Sequence, residues 1–374
     1  MEAGYRREVT PDIETPAPAS SAVAATGPSG PATRSGGAGD AGATFDVVAV
    51  GNALVDVLAS STDEQVAALG LTKGTMTLAD SERSAAVYEA LGDTVEASGG
   101  SAANTVAGVA ALGGRCAFIG RVADDLLGRS FLHDIRALGV AFDPPAVAKA
   151  EDAVTGHCLV LVTDDAQRTM VTHLGVASEL GPADLNDGHL AAAQVLYLEG
   201  YLWEQPPAKA AMRAAMERAH QTDGAVALSL SDPFCVERHR EEFLDLLDGH
   251  VDLLFANEEE IVTLFGVRAI DAAVGAVADT GVLAVLTRGS AGCVVVTPRG
   301  PVAVPAAAVE RVVDTTGAGD LFAAGFLYGI THGQGPEDSA RLGALCAAEA
   351  ISHVGARPLA DLRKLAVAAG LLEA

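Results

Sequence analysis

The stretch "RVVDTTGAGDLFAAGFLYGI", residues 311–330, sets an apolar approach, a Gly/Thr turn and an Ala/Leu/Phe run one after another. That order predicts a β-prone approach, a tight turn at Gly317-Ala318-Gly319-Asp320 and a helix starting there. A helix start carries unpaired N–H groups and the positive end of the helix dipole, so it suits an anion. Glycines there let the backbone approach a phosphate with no side chain between. The residues alone leave Asp320 two roles: a cap on the helix, or a catalytic group beside the anion.

GAGD also stands at residues 37–40, where Gly37 to Gly42 even satisfies G-x-G-x-x-G. The dinucleotide-binding version of that pattern must follow a strand and open a helix. Residues 1–43 are instead dominated by Ala, Gly, Pro, Ser and Thr without apolar periodicity, so a disordered tail is expected. At 317–322 the same pattern fails because Phe322 takes the third glycine's place. G-x-x-x-x-G-K-[ST], H-R-D and D-F-G are all absent, which excludes a Walker-A NTPase and a protein kinase.

Outward from these motifs, residues 44–374 alternate apolar strands with amphipathic helices. Strands are expected at 45–52, 116–122, 194–202, 225–232, 251–257 and 282–289. Helices are expected at 127–140, 207–222, 239–250, 258–266 and 269–280. Near-continuous apolar strands separated by helices predict an α/β fold with a mostly parallel sheet covered on both faces. "GHCLVLVTD" and "RTMVTHL", joined by the short turn "DAQ", break that rhythm and predict a small antiparallel flap.

The formal charge of −25 argues against nucleic-acid or anionic-membrane partners, so an anionic substrate needs a local site. Five scattered cysteines without C-x-x-C predict buried free thiols rather than a disulfide framework or zinc site. With no bilayer-length apolar run and no signal architecture, a cytoplasmic protein is expected.

Two further blocks carry chemistry. "GGSAAN" (99–104) leads into a small-residue helix and offers Ser101 and Asn104 at its tip. "GNALVDV" (51–57) places Asp56 in an apolar strand, where an unpaired buried carboxylate is costly. Asp56 therefore meets a partner, faces a polar pocket or lies on an edge strand.

Together, "GGSAANTVAGVAALGGRCAFIGRVADDLLG" and "DTTGAGDLFAAGF" resemble the two signatures of the ribokinase-like family of carbohydrate and nucleoside kinases, the phosphofructokinase-B type. The resemblance runs from about residue 46 to 358. It implies a Rossmann-like α/β/α three-layer domain with a small β-sheet lid, its strands near 51–60, 95–101 and 155–175. It also implies transfer of the ATP γ-phosphoryl group to a hydroxymethyl group. Asp320 would be the base, and Gly317, Ala318 and Gly319 its anion hole. Asn257 and Glu260 match the N-x-x-E motif that orders Mg2+, although three glutamates at 258–260 also suit a helix start. Thr287, Gly289 and Gly292 match a segment near the nucleotide phosphates, and His353 a stretch beside the ATP base.

Within the family, "YLEGYLWEQP" and "LSLSDPFCVERHREEFLDLL" are similar to the bacterial adenosine kinase-like branch. That branch implies Asp56, Gly100 and Asn104 on ribose hydroxyls, Arg168 at the transferring phosphate, and a base stacked on Phe234. Tyr201 or Trp203 would form another wall, or pack in the core. The acceptor implied is adenosine; inosine, guanosine, ribose and fructose remain alternatives, as does a non-catalytic nucleoside sensor. A K+ site near the carbonyls of Asp314 and Thr316, and a monomer or homodimer, are also compatible with the family pattern.

Overall fold

Alternation along the central strands decides the layering. Val47, Ala49, Val195 and Tyr197 point into one core, while Val48, Val50, Leu196 and Leu198 point into the other. Both sets are buried, so helices must cover both faces. The structure, a computed structural model, describes residues 45–145, 153–165 and 167–373; the tail expected at 1–43, with the first GAGD, lies outside the described residues.

The strands are β1 Phe45–Val50, β2 Leu54–Ser60, β3 Met76–Leu78, β4 Thr94–Gly99, β5 Cys116–Ile119, β6 Thr155–Val162 and β7 Arg168–Gly175. They continue with β8 Ala193–Glu199, β9 Ala225–Ser229, β10 Leu253–Asn257, β11 Leu283–Thr287, β12 Cys293–Thr297 and β13 Gly300–Val304. The first helices are α1 Asp63–Ala68, α2 Ser81–Glu89, α3 Ser101–Ala111, α4 Leu126–Ala137, α5 Asp187–Ala191 and α6 Pro206–His220. The rest are α7 Pro233–Leu247, α8 Glu258–Phe265, α9 Ile270–Thr280, α10 Ala318–Thr331, α11 Pro336–Ala350 and α12 Leu362–Ala368.

The large sheet has the order β13-β12-β11-β10-β9-β8-β1-β5. It is parallel from β5 to β11, and β12 and β13 add an antiparallel edge. Helices α3, α10 and α11 pack in one core and α6 to α9 in the other, giving the expected α/β/α sandwich. The chain runs from β1 out to β5 and then returns to β8 on the other side of β1. Strand order reverses there, and the carboxyl ends of β1 and β8 open the crevice where such sheets bind ligands.

The small sheet has the order β3-β7-β6-β2-β4. Its outer face, with Val57, Leu159, Leu161 and Val171, packs on Val66 of α1 and Val87 of α2. The β6–β7 hairpin is antiparallel, as expected, but the sheet that holds it is mixed: β2–β4 is antiparallel, whereas β2–β6 and β3–β7 are parallel. The intervening helices supply the crossovers that parallel pairs require.

Three other expectations change. Strand β8 ends at Glu199 and turns into a 3-10 segment, Gly200–Glu204, so Tyr201 and Leu202 leave the sheet. Helix α7 begins at Pro233, earlier than expected, because Asp232 caps it by accepting from the N–H groups of Phe234 and Cys235. The approach to GAGD is no strand. Asp314 folds back to accept from Thr316 N and Oγ1, and takes a third bond from Gly355 N. These bonds bend 311–316 into an open loop. All five cysteines are free and buried, and no single described helix is long and apolar enough to cross a membrane.

Candidate active site

Asp320 lies in the first turn of α10, whose N-cap is Gly317 in the left-handed conformation (φ +73°). No side chain caps this helix. The Asp320 carboxylate instead accepts from Ser101 Oγ at 2.7 Å and Asn104 Nδ2 at 2.9 Å. Capping is therefore not its role, and two residues of α3 fix its direction. The N–H groups of Gly319 and Asp320 have no protein acceptor among the described residues. Open space lies where a Gly319 side chain would start, whereas one on Gly317 would strike Ala356. The loop thus offers a clear approach to two free donors at a helix start.

Helix α10 faces a cavity of about 380 Å³ between the crevice of the large sheet and the inner face of the small one. Asp56 lines it from β2, an interior strand of the small sheet, which removes the edge-strand reading. Its carboxylate rests where Gly99 lacks a side chain. Burial pushes Asp56 up to about 7, against the pull of Arg357. Burial likewise raises Asp320, while the bonds from Asn104 and Ser101 act the other way. Asn104 is 4% exposed, and its Oδ1 has no partner among the described residues. That leaves one buried acceptor ready for a hydroxyl donor.

Arg168 reaches the same cavity from the start of β7. Its Nη2 donates to Thr315 Oγ1 at 2.9 Å, and its Nε lies 3.5 Å from Asp314 Oδ1. The cation thus stands on the GAGD approach, where it complements an anion held by α10. Asp314's own carboxylate is already engaged by the loop.

Asn257 and Glu260 also line the cavity, at the start of α8. They form a capping box: Asn257 accepts from Glu260 N, and Glu260 accepts from Asn257 N at 2.9 Å and Nδ2 at 2.6 Å. The capping role is therefore real, but it leaves lone pairs on both carboxylate oxygens. Burial pushes Glu260 up to about 7. A partly engaged carboxylate of this kind suits a hydrated Mg2+ better than a bare one.

Residues 63–362 match the pfkB family carbohydrate kinase model. The chain belongs to that family. It is 30% identical to the adenosine kinase of Saccharomyces cerevisiae over 335 residues, which cover 83% of this chain and 96% of that protein. The adenosine kinase structure from Sinorhizobium meliloti is 46% identical, with a TM-score of 0.85, covering 87% of this chain and 100% of that one. A probable sugar kinase from Rhizobium etli CFN 42 is 44% identical, also with a TM-score of 0.85, covering 88% of this chain and 99% of that one. The chain is accordingly a nucleoside or sugar kinase of this family, a phosphotransferase acting on hydroxyl groups with ATP as co-substrate.

For this kinase, the cavity gathers Asp56, Gly100, Ser101, Asn104, Arg168, Tyr201, Asn257, Glu260, Thr287 and the Gly317–Asp320 loop. Four expected residues lie elsewhere. Phe234 is 54% exposed on the first turn of α7 and does not line the cavity, because the Asp232 cap fixes that turn outside it. Gly289 and Gly292 bracket a tight turn between β11 and β12, also outside the lining. His353 bonds Glu349 Oε1 at 3.2 Å beyond the end of α11. Of the two expected walls, Tyr201 lines the cavity, while Trp203 is fully buried and donates to Glu242.

Two charged residues escaped the sequence reading. Glu199, at the end of β8, accepts from Asn52 N and Nδ2 and from Ala102 N, all within 2.8 Å. It ties β1, β8 and α3 together at the crevice, and burial pushes it up to about 7. Arg357 is the other. Both sit among apolar residues, the same signal that singled out Asp56. Glu204, Cys235 and His239 are close enough to share a metal ion. Arg238 already engages the Glu204 carboxylate, however, and burial pushes the Cys235 thiol up, so the group is a closed ion-pair network.

Proposed function

We propose that this chain transfers the γ-phosphoryl group of ATP to the 5′-hydroxyl of a ribonucleoside, with adenosine as the acceptor. One observation carries the reading: Asp56 and Asp320 face a single cavity, and Asp320 stands beside an open helix start. In this reading Asp320 takes the proton of the acceptor hydroxyl as that oxygen bonds to the γ-phosphorus. The bond to the β–γ bridging oxygen breaks and ADP leaves. A carboxylate raised by burial but oriented by two donors suits a general base. The amides of Gly319 and Asp320, with Arg168, receive the charge on the phosphoryl oxygens. Glu260 and Asn257 would hold Mg2+, which would offset charge on the nucleotide phosphates.

Asp56 and Asn104 Oδ1 are acceptors for vicinal ribose hydroxyls. The apolar part of the same wall favours a nucleoside over a bare sugar. Met76, Leu78, Val160, Met170 and Leu174 line it from the small sheet. A sugar is ringed with hydroxyls and gains little from that surface, whereas a purine has two flat apolar faces to bury. The adenosine kinase relatives support the same acceptor.

The test is a phosphorylation assay with Mg2+ and ATP against adenosine, inosine, guanosine, ribose and fructose. Adenosine is expected to give the highest kcat/KM, and a sugar ahead of every nucleoside would overturn the reading. In parallel, Asp320→Asn is expected to lower kcat by about 10²–10⁴-fold, with acceptor affinity within a few-fold. Near-normal turnover in that variant would remove the base.

A further inference from the structure

Arg357 lies in "GARP", just beyond α11; it is half-buried, with its Nη2 enclosed. Its Nε donates to the carbonyl of Ser98 at 3.0 Å, and its Nη1 to that of Ala103 at 2.9 Å. Those carbonyls bracket the turn that carries the site's polar groups. Between them, Gly99 receives the Asp56 carboxylate, Gly100 starts α3, and Ser101 orients Asp320; Asn104, next after Ala103, holds its other oxygen. The preceding residues grip the other half of the site. Ala356 fills the space where Gly317 lacks a side chain, and Gly355 N donates to Asp314. A three-residue segment therefore touches both the turn at 98–104 and the loop at 314–320.

We propose that Arg357 is a positioning residue for phosphoryl transfer: it fixes the 98–104 turn against α10 and supplies the positive charge that Asp56 and Asp320 share. The charges around Asp320 make that contribution necessary. Asp56 faces it from β2, Glu199 and Tyr197 from β8, and Tyr201 from the segment after β8, and none of these offers a cation. Helix α3 contributes only the neutral Ser101 and Asn104. Among the described residues, Arg357 and Arg168 from β7 are cations that favour the Asp320 carboxylate. Arg168 is engaged by Thr315 and Asp314, whereas Arg357 has one buried nitrogen, Nη2, without an acceptor among the described residues. Replacing Arg by a neutral side chain of similar length would leave two facing acids with less compensation, so protonation would persist to higher pH.

The proposal rests on Asp320 being the base, and the experiment separates the two. Arg357→Met, Arg357→Lys and Asp320→Asn are assayed with adenosine, ATP and Mg2+ from pH 5.5 to 9, with thermal unfolding of each. Arg357→Met is expected to lower kcat about 10-fold or more at pH 7 and to move the acidic limb of kcat/KM upward by about one pH unit. Arg357→Lys keeps the charge but not the fork to two carbonyls, so its limb should stay in place while the acceptor KM rises several-fold. Should the Met variant fail to fold, the Lys variant carries the test, and a limb displaced by a full unit there overturns the proposal. An unmoved limb in a folded Met variant overturns it as well. If Asp320→Asn turns over normally, the base assignment falls, and with it the proposal; if Asp320→Asn is inactive and Arg357→Met behaves as wild type, only the role of Arg357 falls.

Discussion

At the scale of single residues, Asp56 shows how position turns a cost into a function. A carboxylate inside an apolar strand is expensive unless it is paired or solvated. Here it borders a cavity, and burial holds it near 7, far above an ordinary aspartate. Below that value the free enzyme carries mostly the neutral acid, which accepts hydroxyl protons less well. Acceptor kcat/KM should therefore rise as pH climbs from 6 to 8 and flatten above. Asp56→Asn removes the charged form at every pH. It should raise the acceptor KM by about 10-fold or more, leave the ATP KM within about two-fold and lose the component of the pH rise that Asp56 supplies. An unchanged acceptor KM in that variant would place the ribose hydroxyls elsewhere. Asp56 was visible in the sequence because it interrupts an apolar run. Glu199 and Arg357 do the same in "VLYLEGYL" and "HVGARP", but only the fold brings them to the crevice.

At the scale of elements, the start of α10 separates two kinds of glycine that the sequence writes with one letter. Gly317 has a positive φ, and a side chain there would strike Ala356. Gly319 has no such φ and faces open space. Gly317→Ala should thus destabilise the protein by roughly 1–2 kcal/mol from backbone conformation alone, and more from the clash. Gly319→Ala should keep or raise the melting temperature, because alanine restricts the unfolded chain by about 0.4–1 kcal/mol. Its methyl group would nevertheless stand where a phosphoryl group approaches, so kcat/KM should fall at least about 10-fold. Melting curves and kinetics on the two variants check this; a fully active Gly319→Ala enzyme would remove the anion hole from the mechanism. The sequence foretold the helix at this turn but not the form of its approach. Val312 and Val313 look β-prone, yet Asp314's bonds to Thr316 and Gly355 override them. Likewise β12 and β13 were not anticipated, since "CVVVTPRGPVAV" lacks the helical partner that marked the parallel strands. Phe234 departs from expectation for a local reason too: it sits on a helix start capped by Asp232 and is not among the residues lining the cavity.

At the scale of the whole molecule, these buried acids make stability depend on pH in a definite direction. Asp56, Glu199 and Glu260 are each held near 7 by burial, and Asp320 is raised as well. Unfolded, such groups lose their protons near pH 4. Between about pH 4 and 7 the folded chain therefore holds more protons than the unfolded one, and its stability falls as pH rises. Burial lowers His157, which works the opposite way, but it is one group against four. Arg357, lowered to about 10, acts only at alkaline pH. The formal charge of −25 reinforces the trend, since each proton lost adds to repulsion among negative groups. The protein without substrates should thus melt roughly 3 °C or more higher at pH 6 than at pH 8 in low salt. Added salt should narrow that gap by screening the repulsion without abolishing it, because the buried groups are screened less. A melting temperature that rises steadily from pH 6 to 8 would mean that these carboxylates are ionised in the folded protein well below pH 7. The cost of burying them would then be offset by contacts other than those to Asn52, Ala102, Ser101, Asn104 and Asn257.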